Sequence, residues 1–590
     1  MKKLFNILAI SLPLMMTSSC GDFLEVEPQN IITIDQFWNE ESDVESMVLG
    51  CYNRMQQGDV MRRMLVWGEF RSENIVSFGP SIEKDRDLDR LLKENITAMN
   101  GYTTWTGFYD VINRCNIIIE FAHKVAENDP SYTEGELKAH IAEATALRSL
   151  CYFYLIRTFR DVPYSEEALL DDGQTLAQPA LPFAEVLKKL IASLEAVKDD
   201  AVSRYPETNT QKNYNSGRFT KVGIYALLCE LYLWDKDYDN CIKMADYVIE
   251  QKTIRAQELD ATEDWTLTNG YPLIKSRKTA NGTTFGKAFT NIFVKGCSQE
   301  GILELVFDKN AGNSQISNDP VHYFYGNAAD EASYVRASDY VGTDIKSSKP
   351  AVFLNKYDGR LYENIRFSRG GDPVSINKYV TSTEVSFGDP TTGTFYEKAY
   401  WGVKYPVHVD DKTHDKTSLN KSNFIIYRLT DIMLLKAEAL TQKMSDADVM
   451  TDTDKAYRDK AFELVNAVNK RSILRTSFTS PTDTLQLSSF PNKSTITDLV
   501  YDERNRELMF EGKRYFDLVR RSQRDGNTDY LRSKAKNKSV ENSSIVESQL
   551  QRMDAIYWPY NLEETRVNPY LVQNPAFGTG ESSSFDNAAK

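Results

Sequence analysis

The chain has 590 residues and a net charge of −14, with 84 acidic against 70 basic side chains. That balance excludes a nucleic-acid-binding role and adhesion to anionic lipid head groups, both of which need a cationic face. The length exceeds a single core of about 100–200 residues, so two lobes or one large fused domain are expected. A hydrophobic share of 41% is ample to fill them.

The first segment reads as an export signal. Lys2 and Lys3 make a short basic start, and Leu4 to Met16 is mostly apolar. That stretch is shorter than the roughly 20 residues a membrane-spanning helix needs. Thr17, Ser18 and Ser19 then lead into Cys20, as in bacterial lipoprotein signals. Residues 1–19 are therefore expected to be removed and the Cys20 thiol to be acylated. The bland alternative is an ordinary cleaved signal that leaves Cys20 as a free thiol. Each buried acyl CH₂ contributes about 0.8 kcal/mol, so two or more chains hold a protein stably to a membrane. No second long apolar stretch follows, and the rest is expected to be soluble apart from that anchor.

Beyond the anchor, helical periodicity dominates. Helices are expected around Val44–Met55 and Trp105–Val125. From Leu137, the positions Ile141, Ala144, Leu147, Cys151, Tyr154 and Thr158 fall on one helical face, with Pro163 close behind to help end the helix. Thr220–Glu250 predicts a helix, a tight turn at Asp235-Lys236-Asp237 and a second helix. The small and aromatic offsets there, at Tyr225, Leu228, Cys229, Tyr232, Tyr238, Cys241, Ala245 and Val248, match a tetratricopeptide unit. Asp431–Gln442 and the run Ala461, Leu464, Val465, Val468 predict a later pair. Such pairs cannot bury their faces alone and must stack on neighbours. Residues from about Thr253 to Ser422 have a different texture, rich in Gly, Asn, Asp, Ser and Tyr. Ile302–Phe307 predicts a strand there, and the rest reads as long ordered loops of the kind that carry function. The organisation expected is thus 1–19 signal, 20–252 helical region, 253–422 loop-rich ligand-binding region and 423–590 second helical region.

Three late segments carry a family resemblance: Tyr427–Leu440 (YRLTDIMLLKAEAL), Glu503–Arg520 (ERNRELMFEGKRYFDLVR), and Trp558-Pro559-Tyr560 with Asn568-Pro569 and Gln573-Asn574-Pro575. Gly68–Asn74 (GEFRSEN), Trp105–Asn116 and Glu143–Pro163 agree, in order, in the first half. Together they resemble the SusD/RagB family of outer-membrane nutrient-binding lipoproteins. The resemblance implies a mainly α fold with a tetratricopeptide scaffold, a loop-rich ligand face and few short strands. It also implies attachment to the outer membrane facing the cell surface, and a SusC-like TonB-dependent transporter as partner. The ligand it implies is an oligosaccharide or a peptide, bound without cleavage.

Candidate chemistry is sparse. Glu503, Glu507 and Glu511 recur every four residues, which places them on one face of an expected Glu503–Arg520 helix. A glycosidase would need two such acids about 5–10 Å apart across an open sugar site. The competing reading is a structural ion-pair network, in which Arg514 reaches Glu511, and Arg520 and Arg521 reach Asp517. His408-Val409-Asp410-Asp411-Lys412-Thr413-His414 has no known metal spacing and reads as a solvated loop. Asp446, Asp448, Asp452 and Asp454 lack the Gly and closing Glu of an EF-hand and read as a polar inter-helix loop. Cys51, Cys115, Cys151, Cys229, Cys241 and Cys297 show no metal spacing and are expected as core thiols, with a disulfide left open. No cofactor is expected. Ligand-facing rings are expected among the loop aromatics Trp67, Trp265, Tyr271, Tyr323, Phe324, Tyr325, Tyr400 and Trp401, each of which could equally be a packing anchor.

Overall fold

The computed structural model describes residues 37–578, excepting 308–317, 326–333, 343–351, 380–421, 474–483, parts of 171–176, 260–286 and 354–377, and 79–80, 448 and 540. In chain order, the elements that matter begin with helices α1 (Glu41–Met55) and α2 (Gly58–Glu69), strand β1 (Ile75–Ser77) and the short helix α3 (Arg86–Leu92). Next come α4 (Thr106–Asn128), α5 (Glu134–Phe159), α6 (Phe183–Val197), α7 (Lys221–Trp234) and α8 (Tyr238–Glu258). The middle of the chain supplies β2 (Trp265–Thr268), β3 (Tyr271–Ile274), β4 (Gly301–Leu305), α9 (Asp319–Tyr325) and β5 (Val335–Ala337). Strand β6 (Phe424–Arg428) runs into α10 (Leu429–Lys443), followed by α11 (Asp452–Ser472), α12 (Lys493–Leu508) and α13 (Arg514–Asp525).

The fold is mainly α, as the periodicity predicts. Helix pairs α4/α5, α7/α8 and α10/α11 pack side by side, α8 packs on α10, and α12 packs across α10 and α11. Helix α13 then returns to α2, so helices from both ends of the chain share one frame. Local chemistry sets the ends of these helices. Thr133 and Glu136 form a reciprocal capping box at the start of α5, and Thr451 and Asp454 do the same for α11. The α7/α8 turn falls at the expected Asp235-Lys236-Asp237. Lys236 takes φ 65° there, and Asp237 caps α8 by accepting from the Asn240 N–H. Helix α5 is buried nearly all round, so its charges need internal partners. Arg157 meets Glu230 at 2.8 Å, and Glu143 meets Arg218 at 2.7 Å.

The strands are short and paired in twos. The expected strand at Ile302 forms as β4 and lies antiparallel to β6, with Gly301 opposite Arg428. Strand β1 pairs with β5, Ile75 opposite Ala337, across 260 residues of chain. Cys51, Cys115, Cys151, Cys229 and Cys241 are buried free thiols; Cys229 and Cys241 touch across α7/α8 with Sγ atoms 3.7 Å apart. Asp454 is spent on its cap and on Ser445, while Asp446 pairs with Lys493 at 2.9 Å. Among the described residues no helix is long and apolar enough to cross a membrane.

One expectation is corrected. Glu503–Arg520 is not a single helix: α12 stops at Leu508, and the chain turns through Phe510 (φ 68°) and Gly512 (φ 73°) before α13 begins. The break has a steric reason. Gly68 of α2 lies so close that a Cβ there would sit 1.8 Å from the Gly512 carbonyl oxygen, which leaves no room for a continuous helix carrying side chains.

Candidate functional site

Two clusters combine arginine with tyrosine, and both involve α2. The first lies at its C-terminal end, where Gly68–Asn74 meets the α12–α13 turn. Glu69 is fully buried, accepts from the Asn74 amide and from the Phe510 backbone N–H, and is pushed by burial up to about 7. Arg71 donates to Glu94 at 2.9 Å and to the Ala555 carbonyl at 2.7 Å, and Arg514 donates to Glu73 at 2.6 Å. Beside them, Glu507 receives Arg428 at 2.6 Å, Arg360 at 3.0 Å and Arg471. Despite its burial, these three cations hold Glu507 well below the usual carboxylate range. Glu511, turned by the helix break, meets Arg428 and Lys378 rather than Arg514. Arg520 reaches Asp517 at 2.8 Å as expected, but Arg521 pairs with Asp498 and Asp525. Glu503 and Glu507 are therefore sealed and saturated with guanidinium groups, which suits a structural lock and leaves no open acid pair for a sugar.

The aromatic candidates separate by burial. Trp67 is 0% exposed, donates its indole N–H to the Tyr102 carbonyl at 2.9 Å and stacks on Phe108 with centroids 4.8 Å apart. Phe324 and Tyr325 are also 0% exposed, and the Tyr325 hydroxyl donates to the Phe510 carbonyl. Tyr271 is buried and bonds Glu463. These four are packing anchors, because a ring with no accessible face cannot meet a ligand without opening the core. The backbone of Trp265 pairs with Ile274 in the β2/β3 hairpin. Tyr400, Trp401, Cys20 and the His408–His414 segment lie outside the described residues.

Tyr323 alone of the candidates whose side chains are described is only half-buried. It projects from α9 and stacks on Tyr334, with ring centroids 4.2 Å apart and planes 14° from parallel. The Arg62 guanidinium, from the first half of α2, lies 4.1 Å from the Tyr323 ring centroid. The hydroxyls of Tyr323 and Tyr102 both donate to Oδ2 of Asp85, at 2.8 and 2.7 Å. The other Asp85 oxygen accepts the Leu88 N–H at 2.9 Å and so caps α3. Burial first, and the Asp85 carboxylate second, push both phenols above their ordinary range, so they remain protonated donors. The rings are thereby fixed in orientation; Tyr334 and Arg62 cover the two faces of Tyr323, so the face through which this stack can meet a flat ligand is the outer one of Tyr334. One turn along α3, Asp89 holds Ser77 and Lys93 at the edge of a polar groove of about 860 Å³, lined also by Val76, Arg336, Tyr340, Lys536 and Asn542. That volume suits a small-molecule or oligomer site.

Arg62, Asp85, Tyr102 and Tyr334 were not among the candidates named from sequence. The one local signal is Arg62-Arg63 interrupting an otherwise apolar run, VMRRMLVW; the other partners come from distant segments. Among the described residues no group of three or more His, Cys, Asp or Glu side chains is placed to hold a metal ion.

Residues 198–577 match the SusD family, and residues 22–233 match the family described as starch-binding and associating with the outer membrane; the chain belongs to the SusD family. It is 25% identical over 605 aligned positions to a SusD-like protein of Formosa agariphila, covering 97% of this chain and 99% of that one. Its fold is similar to that of a SusD homologue from Bacteroides thetaiotaomicron, with a TM-score of 0.63 at 18% identity, covering 91% of this chain and 97% of the other. It is likewise similar to a laminarin-binding SusD-like protein, with a TM-score of 0.58 at 18% identity, covering 91% and 100%.

Proposed function

We propose that this protein is a lipid-anchored, non-catalytic capture protein on the outer face of a Gram-negative outer membrane. It binds an oligosaccharide on the Tyr323–Tyr334 platform and passes it to a SusC-like TonB-dependent transporter. The observation that carries the binding reading is the partly open stack of Tyr323 on Tyr334, locked by Asp85 and Arg62. Membership of the SusD family and the similarity to a laminarin-binding relative favour a glycan over a peptide. The signal and Cys20 at the start of the sequence favour the lipid anchor.

Capture at a fixed platform raises the ligand concentration beside a pore, while the transporter supplies the energy of import. The site needs no acid or base for this, and the acids best spaced for hydrolysis are consumed by arginines. Calorimetric titration of the purified protein with starch- and β-glucan-derived oligosaccharides tests the reading. Tyr334→Ala, which removes the ring whose outer face Arg62 does not cover, is expected to weaken binding at least about tenfold. Unaltered affinity would place the site elsewhere, and binding of oligopeptides alone would replace the glycan reading. Shortened sugars after incubation would contradict the non-catalytic one. Loss of labelled fatty acid from Cys20→Ala, and co-purification with a barrel transporter, test the anchor and the partner.

A further inference from the structure

Two elements join the tyrosine stack to the polar groove, each with one end in either. Helix α3 begins beside its capping residue Asp85, which holds the hydroxyls of Tyr323 and Tyr102, and ends in the groove wall with Asp89, Leu92 and Lys93. Asp89 lies one turn beyond Asp85, an axial rise of about 6 Å. On the other side, the chain leaving Tyr334 enters β5 and reaches Arg336 in the groove. Burial alternates along it: Val335 and Ala337 are 0% exposed, while Tyr334 and Arg336 are half-buried. Side chains two apart on an extended chain share a face, about 7 Å from one to the next. Tyr334 and Arg336 therefore leave the ribbon on the same outer side. Val76 stands opposite Arg336 in β1, and the Phe78 N–H donates to the Tyr334 carbonyl, which carries the pairing as far as the stack.

The cations of the groove are each held by an acid. Lys93 meets Asp89 at 2.8 Å, Arg336 meets Asp339 at 2.7 Å and Lys536 meets Glu547 at 3.3 Å. Lys538 is buried and turned toward Glu94 and the Phe70 carbonyl. The outer pairs are not saturated, because a guanidinium has five N–H donors and a carboxylate about four acceptor sites. Among the described residues Arg336 engages three donors, two on Asp339 and one on the Ala337 carbonyl. The Asp339 side chain is 67% exposed. Asn542 precedes a short helix without capping it, so its amide brings a donor and an acceptor to the groove. The half-buried Tyr340 adds a ring to the lining. Neutralised pairs present donors and acceptors side by side with little net charge. That suits the vicinal hydroxyls of a neutral sugar, each of which donates and accepts, whereas an anion would also face Asp89, Asp339 and Glu541.

We propose that the groove is a second subsite on the same ligand track, and that the protein selects a neutral oligosaccharide long enough to rest one ring on Tyr334 while the following units hydrogen-bond to Arg336, Asp339 and Asn542. This inference rests on the glycan reading above. A ring held on Tyr334 brings the units tied to it to the groove at high effective concentration, so the two contacts reinforce each other only in a chain that spans both.

The test is calorimetric titration of the purified protein with laminari- and malto-oligosaccharides, each from the disaccharide to the heptasaccharide. Affinity is expected to rise at least about tenfold from the shortest to the longest chain that binds, the effect of two hydrogen bonds of ordinary strength. High salt leaves that rise in place. The double variant Arg336→Gln/Asn542→Ala cancels most of it, so that short and long chains bind alike, and its binding of short chains shows that it is folded. Tyr334→Ala weakens every length. Affinity independent of chain length, or a rise that survives the double variant, overturns the inference and leaves the glycan reading intact. An oligogalacturonate that binds more tightly than neutral chains of its length overturns the neutral ligand class. Binding of no glycan overturns both readings.

Discussion

Helix α2 joins two regions built from the same residue types and put to opposite uses. At its C-terminal end, Glu69, Arg71 and Glu73 are sealed against Glu507, Phe510, Arg514 and Tyr515, and nearly every charge has a partner. Two turns earlier, Arg62 faces Tyr323 half-open to solvent and without a carboxylate. Satisfied charges in a closed join fix geometry, whereas the half-exposed patch keeps the outer face of Tyr334 as its route to a ligand. The rigid join also supports the patch, because Trp67 from the same helix clamps the Tyr102 carbonyl while the Tyr102 hydroxyl orients Asp85.

If this division holds, damage to the join should appear as lost stability and damage to the patch as lost binding. The largest effect is expected from Arg428→Met. It strips Glu507 and Glu511 of a shared cation in a fully buried setting, and chemical denaturation should register a loss of about 3–5 kcal/mol. Next comes the pH dependence of Glu69 and Glu363, both raised by burial to about 7. A carboxyl whose folded-state pKa lies above its unfolded value favours folding while protonated. Its contribution is therefore present in acid and is lost as pH rises from the unfolded value of about 4.5 toward 7. Denaturation midpoints should fall across that window, by up to roughly 3 kcal/mol per group, and Glu69→Gln should flatten the part due to Glu69. Below that window the opposite sign applies. Glu438 and Asp431 are lowered to about 2 by arginine and lysine partners, and they withdraw stability as pH falls from about 4 toward 2. A smaller effect, about 1 kcal/mol, is expected for Thr451→Ala, which removes the capping box of α11 at the edge of the frame. The smallest is Arg62→Gln, whose cation–π contact is worth about 0.5–1 kcal/mol to folding. A large stability loss there would erase the contrast between the two regions.

The frame was legible in the sequence wherever one rule acted locally. Periodicity located α5, α7 and α8. Aspartates flanking Lys236 marked the turn, and the Glu503–Arg520 charges were read as an ion-pair network, but its meeting with Gly68–Asn74 was not. The break at Phe510 was not legible, because it depends on the approach of Gly68 from the other end of the chain. The patch was harder still. Its members at 62, 85, 102, 323 and 334 meet only after the whole frame has formed, and no spacing announces them. Composition could not separate a ring that packs, such as Trp67 or Tyr325, from one that faces outward, such as Tyr323, since both satisfy the same hydrophobic demand. The ion-pair reading of Glu503 and Glu507 was right in kind, but its partners come from elsewhere in the chain: Arg360 lies 143 residues from Glu503 and Arg428 lies 79 from Glu507.

The central claim is that the tyrosine–arginine patch is where ligand is held. A crystal structure of the protein with a bound oligosaccharide measures this directly. The account predicts a sugar ring stacked at about 4 Å on the outer face of Tyr334 in the Tyr323–Tyr334 stack. A sugar seated wholly in the groove beside Ser77 and Arg336, with the tyrosines untouched, would contradict it.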